Sequence, residues 1–264
     1  MTRFALPSYL KYLCTFAVVL CVSEWLSYTA AIWVLAFFSF VALREYFSLV
    51  DIRLQDRWGI LGAYVSIPFM TYLIQIHWYG MFIISIPVYT FLVTPLLVAL
   101  GGAESKGTVF SIGVIDLGLF FFVYCMGHIA YLAMFSTWMA ALLIAGVAWC
   151  DLVDRVLIKK PNRSPRVVSV KYLVAVPLTV FMSVALAGWM TLPVIHSVVL
   201  GLLVPFLVLA GSIATGAIES DLGISKDRLL PGTGQIIHGA KSFLFTAPVV
   251  FHYIRYFWEE PLFR

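Results

Sequence analysis

Apolar residues run along this chain in long blocks with short polar breaks between them. Apolar stretches fall at about 12–22, 25–42, 58–76, 79–100, 111–127, 130–150, 172–189, 193–213 and 243–258. Most are 16 to 22 residues, near the ~20 needed for a helix to cross a ~30 Å hydrocarbon layer. Runs such as Leu119 to Tyr124 are apolar on every side. They lack the strict alternation of a membrane β-barrel strand. The pattern predicts an all-α, polytopic integral membrane bundle of about nine transmembrane helices, forming one domain over 1–264. The division within 111–150 is open around Gly127 and His128.

The polar breaks test this reading. With the N-terminus cytoplasmic, the segments 1–11, 43–57, 101–110, 151–171 and 214–242 share one face. Only Arg255 and Arg264 of the seventeen Lys and Arg residues lie outside them. Such a bias is the positive-inside pattern of an inner-membrane protein with these loops in the cytoplasm. Trp25, Tyr28, Trp78, Tyr79, Tyr256 and Trp258 stand near span ends, where amphipathic rings anchor at the interface.

Composition agrees. The chain is 62% hydrophobic and 11% charged, too apolar for a soluble core alone. Its net charge of +4 is explained by the loop bias and by anionic membrane lipids, so no nucleic-acid partner is implied. Apolar sequence resumes directly after Ala30 and Ala31, which favours an uncleaved first helix over a signal peptide. Cys14, Cys21, Cys125 and Cys150 form no CxxC pair and read as small buried residues rather than zinc ligands or disulfides.

Two polar segments could carry chemistry. In the first, 151–171, Asp151 and Asp154 share one helical face and precede Arg155, Lys159, Lys160, Arg163, Arg166 and Lys171. Carboxylates so placed can hold Mg²⁺ and the basic run can neutralise phosphates, although charges beside a span more often signal topology. The second, 214–242, holds Glu219, Asp221, Asp227, Gly223, Gly232, Gly234 and Gly239. Glycines let backbone N–H groups approach an anion, but no Walker A or dinucleotide fingerprint is present. Glu24 and Asp116 are the acidic residues nearest span interiors; Glu24 lies between short spans near the outer surface, and for Asp116, a few residues into the fifth span, a satisfied or interface-near carboxylate is favoured over a transport role.

The second segment resembles the C-terminal signature of the phosphatidate cytidylyltransferase (CDP-diacylglycerol synthase) family. It keeps Lys226-Asp227 and reads Pro231-Gly232-Thr233-Gly234-Gln235 where the family has Pro-Gly-His-Gly-Gly. At the family's Asp-Arg-x-Asp-Ser it has His238-Gly239-Ala240-Lys241-Ser242. Arg44-Glu45-Tyr46, Ser85 to Pro95, Cys150-Asp151 and Pro165 to Ser169 resemble further family segments, so the likeness runs from about Arg44 to Tyr256. The resemblance implies transfer of a cytidylyl group from CTP to phosphatidate, giving CDP-diacylglycerol and pyrophosphate. It implies Asp151, Lys226 and Asp227 as catalytic residues, with Asp151 and Asp227 holding Mg²⁺. It implies Arg166, Ser169, Lys171, Gly232, Gly234, Lys241 and Ser242 as substrate-binding residues.

His238 and Lys241 replace the two signature aspartates. Imidazole is a poor Mg²⁺ ligand and a protonated lysine cannot ligate at all. Glu219, Asp221 and Asp154 are possible substitutes. The alternatives are a catalytically degenerate paralogue that binds anionic lipid or a partner lipid enzyme, and a small membrane transporter. Expected partners are phosphatidate, CTP and anionic lipids, with a homodimer allowed.

Overall fold

A computed structural model describes residues 18, 27–101, 106–157, 165–224 and 234–258 of the protein. Every regular element among the described residues is helical. We number them α1 (Tyr28–Leu49), α2 (Arg57–Gln75), α3 (Tyr79–Gly101), α4 (Thr108–Phe135), α5 (Thr137–Leu157), α6 (Pro165–Leu186), α7 (Val194–Asp221) and α8 (Gln235–Trp258). Eight of the nine expected apolar stretches overlap these helices, and 12–22, apart from residue 18, lies outside the described residues.

Among the described residues five helices are long and apolar enough to cross a membrane: α1, α3, α4, α7 and the Thr137–Asp154 part of α5. The apolar stretch of α3 has mean hydropathy 2.2, yet only 22% of it is buried. A surface helix in water would turn a polar face outward. Here Phe91, Leu92, Leu96 and Leu100 are exposed instead, and their natural solvent is lipid. The protein is therefore an integral membrane protein. In α2 and α8 the apolar run is diluted by residues such as Arg57, Gln75, His238 and Lys241, and neither meets the same standard.

The break between α4 and α5 falls at Ser136, not near Gly127 as one division of the sequence placed it. The physical reason is a widened turn. Residues Phe120–Cys125 are π-helical, which lets α4 absorb Gly127 and His128 and run for 28 residues. Loosened carbonyls of that turn take side-chain donors. The Ser39 hydroxyl donates to the Phe122 carbonyl, and His128 Nδ1–H donates to Tyr124 O at 2.7 Å. A second π-helical turn, Ser85–Thr90, lies within α3, where the Thr90 hydroxyl donates to Ser85 O at 3.0 Å.

The chain forms two compact units. Among the described residues one comprises those within 27–130 and 217–240, the other those within 131–216 and 241–258, so the division falls within α4, α7 and α8. The core of the first is built on Leu43, Tyr46, Leu73, Phe82, Ile115 and Phe122, all nearly or fully buried. Tyr46 and Phe122 rings pack at 5.4 Å. At the edge of this unit the short 3₁₀ turn Leu54–Asp56 is locked by Arg53, whose Nη2 lies 2.8 Å from Asp56 Oδ1. Ser111 also donates to Asp56.

In the second unit Tyr131 and Phe135 pack on Phe251 at 5.2 and 5.5 Å. Close helix approach depends on glycine there. A Cβ on Gly201 of α7 would meet the Val180 backbone of α6 at 2.5 Å. Small residues at such crossings are how membrane helices gain dispersion contact without a hydrophobic driving force. The Thr179 hydroxyl reinforces the crossing with a bond of 2.7 Å to Gly201 O.

Candidate functional site

Four helices of the second unit frame a charged cleft of roughly 480 Å³ including its open mouth. Asp151 and Asp154 come from the end of α5, one turn apart on one face. Lys171 and Tyr172 come from α6, Ser212 from α7, and Lys241 and Ser242 from α8. Ala175, Pro205, Val208 and Leu209 supply an apolar wall. The Trp149 indole holds α5 to α6 by donating to Ala175 O at 3.2 Å. Gly211 lets α7 close on Phe245 of α8, where an added Cβ would sit 3.0 Å from the Phe245 Cβ.

The polar groups of the cleft are partly committed to each other. Lys171 Nζ is ion-paired with Asp154. The Asp154 side chain is 58% exposed, so this pair contributes little to stability and can open to a ligand. The Ser242 hydroxyl, buried, donates to Asp151 Oδ1 at 3.3 Å. Two ammonium groups and two carboxylates beside an apolar wall suit an amphipathic ligand with a phosphate head. Each lysine can meet a phosphate as a point charge, and Ser242 can orient the Asp151 carboxylate.

Of the sequence-predicted site residues, the structure brings Asp151, Lys171, Lys241 and Ser242 to this one cleft. Arg166 and Ser169 stand in the first turns of α6, where only the backbone is described. Lys226, Asp227 and Gly232 lie outside the described residues. Gly234 is described, and its role there is conformational. Its φ is +90°, and a Cβ would fall 2.6 Å from Ile224. It turns the chain into α8.

Among the described residues no three His, Cys, Asp or Glu side chains group to hold a metal ion. Mg²⁺ commonly binds through only one or two carboxylates plus substrate phosphates. Asp151, which accepts from Ser242, and Asp154, paired with Lys171, are the two carboxylates that line this cleft.

The residues offered as substitute ligands have other fates. Asp154 pairs with Lys171, and Asp221 is exposed at the end of α7. Glu219 is buried in the first unit, with Oε1 2.8 Å from His238 Nδ1. Sequence reading gave Glu45 no role of its own, yet its carboxylate holds the start of α8. Its oxygens accept the backbone N–H groups of Gln235, Ile236 and Ile237 at 3.1, 2.7 and 3.1 Å. Glu45 thereby serves as a distant cap for α8. The signal for it was a lone acidic residue at the end of an apolar helix, beside Arg44.

No family model matches the chain, and no solved structure matches it. The chain is similar to the uncharacterized protein YnbB of Escherichia coli strain K12. The two are 28% identical over 257 residues, an alignment covering 91% of this chain and 83% of the relative.

Proposed function

We propose that the protein transfers a cytidylyl group from CTP to phosphatidate, releasing pyrophosphate and forming CDP-diacylglycerol. The single observation behind this reading is the convergence of Asp151, Lys171, Lys241 and Ser242, three helices' worth of implied site residues, on one cleft with an apolar wall. The wall would take the glycerol end of a lipid and the lysines its phosphate. Lys241 would neutralise charge as the acceptor approaches, and Ser242 would hold Asp151 in place. Mg²⁺, when bound with substrate, would supply charge neutralisation on the phosphates, with Asp151 as its protein carboxylate and Asp227 as a second. The reading includes nine spans in a bacterial inner membrane, with 151–171 and 214–242 facing the cytoplasm.

The test is incorporation of labelled CTP into lipid by the purified protein with phosphatidate and Mg²⁺. Asp151→Asn and Asp227→Asn should each cut turnover about a hundredfold, the scale of losing a charge-stabilising group. Wild-type turnover that both variants retain in full would refute the assigned site.

A second reading is favoured by one observation: the Lys171–Asp154 pair consumes one of the cleft's two carboxylates. The cleft then suits binding of an anionic lipid without turnover. This reading expects phosphatidate-containing vesicles to bind, Lys241→Ala to weaken that binding, and CTP to stay unconsumed. Measured CTP turnover would exclude it.

A further inference from the structure

A carboxylate within a span is costly unless a partner offsets its charge. Sequence reading favoured a satisfied or interface-near carboxylate at Asp116. In the structure it stands eight residues into the 28-residue α4, a helix long and apolar enough to cross a membrane. At 1.5 Å per residue it lies roughly 8 Å from the helix midpoint, a distance that falls inside a hydrocarbon half-layer of about 15 Å when the helix is centred in the bilayer.

Its surroundings hold more oxygen acceptors than hydrogens to serve them. Asp116 Oδ2 is buried and has no hydrogen-bond partner among the described residues. The hydroxyl of Thr94 on α3, 2% exposed, is close enough to the carboxylate to favour its charged form. That same hydroxyl lies 2.9 Å from Thr90 O, to which it donates. A threonine has one hydroxyl hydrogen and cannot give it to both. Pro95 follows, and having no N–H it leaves the Phe91 carbonyl without its usual donor one turn back. The π-helical turn Ser85–Thr90 adjoins this segment, a distortion that often accompanies function.

No basic side chain of the neighbouring segments is shown meeting Asp116 among the described residues. Arg53 pairs with Asp56, and Arg57 lies over the Trp58 ring. Glu45, the acidic residue of α1, caps α8. When ionised, Asp116 places a single negative charge beside oxygen lone pairs, which matches a small monovalent cation. A divalent ion would leave a net positive charge in apolar surroundings.

We propose that Asp116 and Thr94 form an intramembrane binding site for a small monovalent cation. The site lies beyond the cytidylyl-transfer reading and does not depend on it. Sodium is the probe. The purified full chain in detergent would be melted in sodium chloride and in choline chloride at equal ionic strength. Sodium should raise the apparent Tm saturably and slow labelling of Asp116 by a hydrophobic carbodiimide at least about fivefold, as read by mass spectrometry. Asp116→Asn should abolish the sodium-dependent shift, and Thr94→Val should raise the sodium concentration needed about tenfold. If Asp116→Asn fails to fold, the Thr94→Val titration and the wild-type labelling decide. Equal melting in sodium and choline, labelling indifferent to sodium, or an unchanged shift in either variant would overturn the proposal.

Discussion

Replacing Glu45 should destabilise the protein more than any other single polar change described. A helix leaves its first backbone N–H groups without intrahelical partners. In α8 the residue ahead of the first turn is Gly234, which has no side chain to cap it. Glu45 instead accepts three of those donors, and it is 5% exposed. Hydrogen bonds to a charged group contribute about 1.5–3 kcal/mol each. The positive end of the helix dipole adds about 0.3–1 kcal/mol. Glu45→Gln keeps one accepting oxygen but turns an NH₂ group toward at least one backbone N–H. A loss of about 2–4 kcal/mol follows, allowing for partial rearrangement. Glu45→Ala leaves all three donors buried without an acceptor and should cost more, about 4 kcal/mol or beyond. At 2–4 °C per kcal/mol for a chain of this size class, Glu45→Gln should lower the apparent Tm by roughly 4–16 °C. The assay is thermal unfolding of purified protein in one detergent, followed by far-UV circular dichroism. Limited proteolysis near 225–233 gives a second readout, since release of the α8 start should speed cleavage there. A Glu45→Gln protein that melts within 1 °C of wild type would refute the capping argument.

Two further outcomes concern stability. Burial alone would raise the Asp56 pKa, but hydrogen bonds from Arg53 and Ser111 and the Arg53 charge outweigh it and hold the carboxyl below the ordinary range. A depressed folded-state pKa gives stability that is fully present above the unfolded value, about 3.9, and is lost as pH falls through the folded value. Melting scans from pH 7 to pH 3 should show this acid loss shrink in Asp56→Asn, and an identical pH slope in the two proteins would contradict it. Gly201→Leu should force α7 off the Val180 backbone and cost at least about 1–3 kcal/mol, read as a fall in Tm, whereas Gly188→Leu, where an added Cβ meets nothing within 4 Å, should melt close to wild type.

Sequence determined where helices form and what solvent surrounds them. Apolarity on all sides, as in 79–101 and 194–213, is a local property, and only lipid accommodates it. It also singled out Asp151 and Lys171 beside a span, because charge next to an apolar helix is visible in the order of residues, while Lys241-Ser242 were marked only by resemblance to a family signature. Tertiary structure alone decided which of these meet. Asp151 and Ser242 are 91 positions apart and bond only because α5 and α8 flank one cleft. Glu45 caps a helix that begins 190 positions later. The π-helical turns of α3 and α4 were equally invisible, and one of them moved the α4–α5 break to Ser136. In these apolar helices hydropathy is nearly uniform around the axis, so sequence fixes a helix's length but hardly its rotation. Rotation is set by glycine notches, hydroxyl bonds and caps between helices, and those same contacts choose which side chains face a cleft and which face lipid.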